Sequence, residues 1–93
     1  MDKNRLKNLE EKAELLKALA HPVRLCIIEG LMQNKCNVTK IQTCLGLPQS
    51  TVSQHIAILK SKGILKGERN GLEICYEVVN DDVRKIMEIL LEK

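Results

Sequence analysis

The strongest constraint on what this chain can fold into is a corner. Leu45-Gly46-Leu47-Pro48 separates two short segments that each carry an apolar stripe at helical spacing. Before the corner, Asn37 offers an N-cap to a helix of about 38–44, with Val38, Ile41 and Leu45 turned inward. After it, Val52, Ile56 and Leu59 recur three and four apart on a helix expected from Pro48 to about Lys62, where Gly63 stops it. Gly46 can adopt a positive φ without a Cβ clash, and Pro48 suits a helix start because no amide donor is needed there. Two helices meeting at a tight glycine-containing corner form a helix-turn-helix, here spanning about 37–62.

The flanking segments extend this unit. Leu6, Leu9, Ala13 and Leu16 mark one face of a helix over about 5–20, which His21-Pro22 terminates. Pro22 then opens a second helix in which Leu25, Ile28 and Met32 form a stripe with Val23, Ile27 and Leu31 beside it. So wide an apolar arc belongs to a helix packed between others. Gly30 inside it is expected only to weaken it slightly. Beyond Gly63 the period drops to two. Ile64-Leu65-Lys66-Gly67 reads as a short strand, Asn70-Gly71 as a hairpin turn, and Leu72 to Val79 as an alternating strand. Leu72, Ile74, Tyr76 and Val78 share one face; Glu73, Cys75, Glu77 and Val79 share the other. Asn80 or Asp81 caps a last helix of about 81–92 with Val83, Ile86, Met87 and Leu90 aligned. The expected fold is mostly α with a small β-hairpin: four helices, a hairpin over about 63–79 and a fifth helix, a winged helix-turn-helix in one domain over 1–93.

Composition narrows the function. A chain of 93 residues makes one small domain with a thin core, which favours a partner subunit. With one Tyr and no Phe or Trp, the core must be Leu, Ile and Val, and base stacking on aromatic platforms is excluded. Net charge is +3, but Lys35, Lys40, Lys60, Lys62, Lys66 and Arg69 face only Glu68 between Asn34 and Leu72. A basic middle between neutral or acidic ends points to one face for a polyanion. No apolar run approaches the roughly 20 residues of a membrane span, and Met1 to Glu10 lacks the pattern of a signal peptide. Four cysteines without a disulfide-framework spacing suggest a reducing cytoplasm. No Ser-His-Asp order, glycine-rich phosphate loop or oriented Cys-His pair supports an enzyme.

The helix after the corner carries the chemistry. Gln49, Ser50, Thr51, Ser53 and Gln54 lie off its apolar stripe, as uncharged donors and acceptors. A recognition helix sets such residues against base edges in the major groove of double-stranded DNA, where Gln pairs with adenine and Ser or Thr with several groups. His55 on the same helix is within reach of DNA, and Lys60 and Lys62 follow where phosphates would lie. Lys66, Arg69 and Asn70 make a basic hairpin tip, a wing for phosphates or the adjoining minor groove. The rival is a protein-interaction module that keeps the fold without binding DNA.

The stretch Leu16-Lys17-Ala18-Leu19-Ala20-His21-Pro22-Val23-Arg24-Leu25 resembles the opening of the ArsR/SmtB family of winged-helix repressors. Leu45-Gly46-Leu47-Pro48-Gln49-Ser50-Thr51-Val52-Ser53-Gln54-His55-Ile56 is similar to that family's recognition helix. Gly63-Ile64-Leu65 and Asn70-Gly71-Leu72-Glu73-Ile74-Cys75-Tyr76 are similar to its wing. The similarity runs from about Ala13 onward and is nearest to the family's short repressors.

The resemblance implies a homodimer joined through the first and last helices, here by Leu6, Leu9, Leu16, Val83, Ile86 and Leu90. It also implies repression at a two-fold symmetric operator, relieved by a chemical signal. The family's thiolate metal site falls on Asn37 and Thr39 here, with Cys36 a lone thiol one residue upstream. Its site near the last helix meets Asp81, Asp82, Glu88 and Glu92 but no His, so neither metal nor cofactor is expected. Cys44 is expected in the core. Cys26, with Arg24 nearby, and Cys75 are expected to be less buried and are the candidate redox residues for a thiol oxidant or persulfide; the alternative is four structural thiols and no inducer.

Overall fold

The computed structural model describes residues 1–91. Its elements run α1 (Lys3–Leu19), α2 (Pro22–Gln33), α3 (Val38–Leu45), α4 (Gln49–Ser61), β1 (Leu65–Asn70), β2 (Glu73–Val78) and α5 (Asp81–Leu91). This is the expected winged helix-turn-helix order; Glu92, the last residue of the expected fifth helix, lies outside the described residues.

Local chemistry sets the boundaries. Helix α1 begins two residues earlier than periodicity suggests, because the Asp2 side chain accepts from the Asn4 amide at 3.0 Å. At the α1–α2 corner, His21 Nδ1 accepts from the Val23 amide at 3.1 Å and Pro22 follows in the first turn. Gly46 takes φ +66° between α3 and α4, as its place in the corner requires. Asn80 rather than Asp81 caps α5, its side chain accepting from the Val83 amide at 3.1 Å. Asn37 departs from expectation: it makes no side-chain cap bond, and its amide turns back to the Gly30 carbonyl.

The core joins all the helices and the base of the hairpin. Ile27, Ile28 and Leu31 of α2, Ile41 of α3, Val52, Ile56 and Leu59 of α4, and Val83 and Met87 of α5 are buried, with Ile64, Leu65 and Val78 beneath them. The stripe of α4 is the expected one. The buried arc of α2 instead centres on Ile27, Ile28 and Leu31, while Leu25 and Met32 stay at its margin. Gly30 does more than tolerate a helix: a Cβ built there would lie 2.6 Å from Ile41 Cδ1, so its bareness lets α2 and α3 close on each other.

The two strands pair antiparallel, Leu65 opposite Val78 and Asn70 opposite Glu73. The chain therefore reverses at Gly71-Leu72, one residue later than Asn70-Gly71 implies, with Gly71 at φ +70°. The alternation has the expected parity, but burial fades towards the tip: Val78 is buried, Tyr76 half-buried, Ile74 and Leu72 exposed. Cys75, on the opposite face, is nevertheless buried. The turn after α2 covers it, since the Tyr76 amide donates to the Lys35 carbonyl at 2.8 Å and Cys75 is disulfide-bonded to Cys36.

Candidate nucleic-acid interface

The buried stripe of α4 turns the opposite side of the helix outward. Gln49, Ser50, Ser53 and Gln54 are exposed, and Thr51 is half-buried at the margin. Among the described residues the side-chain hydrogen bonds of α4 belong to His55 and Ser61, so those four polar side chains are engaged with nothing in their own subunit. They lie beside the wing. Gln49 and Ser53 form one wall of a cleft of about 360 Å³, and Leu72, Ile74 and Tyr76 of the hairpin form another. Lys66, Arg69 and Asn70 are exposed along β1.

His55 is half-buried and held from behind. Its Nδ1 accepts from Arg24 Nε at 3.2 Å, and its ring stands 4.7 Å from that of His21. Burial foremost, then the neighbouring His21 and Arg24, lowers its pKa from the ordinary imidazole value. A neutral ring that accepts at Nδ1 carries its proton on Nε2, which leaves a donor on the far side. The two lysines at the end of α4 differ from each other. Lys60 Nζ lies against Gly67 of the wing, between the two elements. Lys62 instead pairs with Glu14 of α1 at 3.5 Å. Lys17, then Lys62, holds the Glu14 carboxyl below the usual carboxylate range.

The cysteines are arranged differently from expectation. Cys26 and Cys75 are not brought together; Cys75 bonds to Cys36, which was read as a lone thiol. Burial, with Glu29 and Cys44 nearby, raises the Cys26 pKa, and Arg24 is occupied by His55 and the Ala18 carbonyl. That environment disfavours a reactive thiolate. Cys44 is exposed rather than in the core, because α3 turns only Ile41 fully inward. Spacing alone could not have paired Cys36 with Cys75, 39 residues apart; the one legible sign was a cysteine on the polar face of β2.

Of the residues expected at a subunit interface, Leu6, Leu9 and Leu16 of α1 and Leu90 of α5 are exposed, and Ile86 is half-buried. Val83 does not belong with them: it is fully buried in its own subunit's core, facing inward beside Met87. Ile89, which the sequence reading missed, is 74% exposed and lines a shallow apolar groove with Leu15, Leu16 and Ile86. Every residue of α1 up to Glu14 is exposed.

Comparison with known proteins gives a consistent pattern. Residues 21–66 match the family model "Bacterial regulatory protein, arsR family". The chain is 50% identical over 84 residues to the transcriptional repressor PagR of Bacillus anthracis, covering 89% of this chain and 84% of PagR. The crystal structure of PagR superimposes with a TM-score of 0.78 at 49% identity, over 91% of this chain and 98% of that one. NolR from Sinorhizobium fredii gives 0.87 at 30% identity, over 99% and 92%. The homodimeric winged helix-turn-helix DNA-binding domain of Mb0332 from Mycobacterium bovis gives 0.83 at 29% identity, over 97% and 83%.

Proposed function

Because this chain belongs to the ArsR family of bacterial regulatory proteins, we propose that it is a transcriptional repressor that binds a two-fold symmetric operator as a homodimer. The observation that carries this reading is the outer face of α4, where Gln49, Ser50, Ser53 and Gln54 project without internal partners beside the wing. Polar side chains that satisfy nothing within the subunit are disposed to satisfy base edges. Residues 37–62 act as the reading unit and 63–79 as the wing. Lys60, Lys66, Arg69 and Asn70 contact phosphate or the minor groove, and His55 offers its Nε2 proton. Helices α1 and α5 supply the dimer contact through Leu6, Leu9, Leu16, Ile86 and Leu90. The molecule is a regulator rather than a catalyst and acts in the cytoplasm, where its DNA is. No described helix is long and apolar enough to cross a membrane.

A gel-shift titration with the protein's own promoter region and a scrambled duplex tests the reading. Wild type binds the promoter region more tightly, with strong salt dependence on both duplexes. Absence of promoter binding, together with salt-independent behaviour on both duplexes, would instead make the molecule a protein-interaction module.

A further inference from the structure

Three side chains from two separated segments converge beside the outer half of the wing, near its turn. Cys36 lies in the turn after α2, and Glu73 and Cys75 lie on the same face of β2. One sulfur or carboxylate oxygen from each falls within 4.8 Å of the others. Glu68 stands opposite Cys75 in the strand register and lines a cleft of about 210 Å³ with Cys36 and Cys75, whose other walls are Lys35, Arg69 and Asn70. We propose that, once reduced, Cys36, Cys75 and Glu73 form a site for a thiophilic divalent cation, with zinc the expected occupant.

The argument is one of donor chemistry and placement. Zinc takes thiolates at about 2.3 Å and carboxylate oxygens at about 2.0–2.2 Å, four in a tetrahedron. Ligand atoms in such a site stand roughly 3.3–3.8 Å apart. The backbone holds the two cysteine Cα atoms 4.3 Å apart, and a Glu73 carboxylate oxygen lies within 4.8 Å of both sulfurs. The fourth position falls to water. The donors are not those of the two family sites considered above, since Asn37 and Thr39 contribute nothing here and no residue of α5 takes part. In the structure the two sulfurs are bonded to each other, and a DNA-binding protein in a reducing compartment carries them as thiols. The conversion balances. A small dithiol gives two electrons and two protons to the Cys36–Cys75 bond and closes to its own cyclic disulfide; the cation then displaces the two thiol protons to solvent. Metal replaces the covalent link between the α2–α3 turn and β2 with a coordinate one, so the wing stays braced in either state.

Cobalt(II) titration of the full chain tests this without DNA, and so independently of the operator reading. Protein reduced with dithiothreitol and desalted without oxygen binds one cobalt per chain, with intense thiolate-to-cobalt charge transfer that zinc abolishes. Glu73→Gln weakens zinc affinity by about tenfold or more, the scale seen when metal-site partners are lost. Cys36→Ser and Cys75→Ser each lose the charge-transfer band while keeping wild-type helicity. Should either variant misfold, mapping of alkylated thiols in reduced wild type decides: zinc shields Cys36 and Cys75 and leaves Cys44 reactive. No charge-transfer band in the reduced protein overturns the proposal, as does the same band in unreduced protein. Shielding of Cys26 and Cys44 in place of Cys36 and Cys75 overturns it too.

Discussion

Two surfaces of this molecule are exposed for opposite chemical reasons. The outer face of α4 shows hydroxyls and amides that bond to nothing in their own subunit. The outer faces of α1 and α5 show Leu6, Leu9, Leu16, Ile89 and Leu90, which water does not favour. Neither pattern helps an isolated subunit fold. Water satisfies the polar face in the isolated subunit, and the apolar one loses by staying uncovered. Under the proposed function each meets a different partner, DNA for the first and a second copy for the second. The comparison teaches that the two surfaces depend on each other: a dimer fixes the distance between two copies of α4, and paired copies bind far more tightly than one.

The largest effect should come from the apolar side. Replacing Leu9 and Leu16 together by Glu places charge on both turns of the uncovered α1 face. Sedimentation should then find monomers, with operator affinity at least about 100-fold lower through lost avidity. A dimer that survived the change would remove α1 from the interface. Next comes the polar side. Gln49→Ala should cost about 1–3 kcal/mol on the operator, roughly 5- to 150-fold in Kd, and leave scrambled DNA nearly unaffected. Ser53→Ala should act in the same direction by less. Equal losses on both duplexes would mean that these residues do not read bases. Arg69→Ala should change affinity modestly but lower the salt slope by about one unit, one phosphate contact fewer; an unchanged slope would take the wing off the DNA.

The smallest effect is that of His55. Its folded pKa is lowered, so the unfolded chain takes up the proton first as pH falls. The stability His55 contributes is thus complete above the ordinary imidazole value of about 6.5 and is lost as pH drops through and below it. Denaturant midpoints measured from neutral to mildly acid pH should fall, and fall less steeply in His55→Asn. Identical slopes would mean that the Arg24–His55 contact has no linkage to folding.

What was legible in the sequence was what short-range spacing controls. The stripe Val52, Ile56 and Leu59 needs only one helix to be recognised, and Gly46 and Pro48 punctuate the chain by their own backbone preferences. The polar set from Gln49 to Gln54 followed from that stripe, being whatever lay off it. The larger failures concern partners distant along the chain. Lys62 meets Glu14, Arg24 meets His55 and Cys36 meets Cys75, and no local period marks any of these. Val83 and Ile89 show the same limit within one helix. The period of α5 reveals an apolar surface, but only packing decides which part of it belongs to the subunit's own core. Asn37 could have capped α3 by type, and the nearby Gly30 carbonyl drew its amide elsewhere.

The contact between Gly30 and Ile41 constrains the molecule's evolution as well as its packing. A methyl at position 30 would meet the side chain of Ile41, which is buried and would have to shift to admit it. Alanine, ordinarily the better helix former, can become acceptable there only in a lineage that has already trimmed position 41 to something slimmer. The two sites should therefore drift as a pair and in a fixed order, so that descendants differing at one betray a prior change at the other.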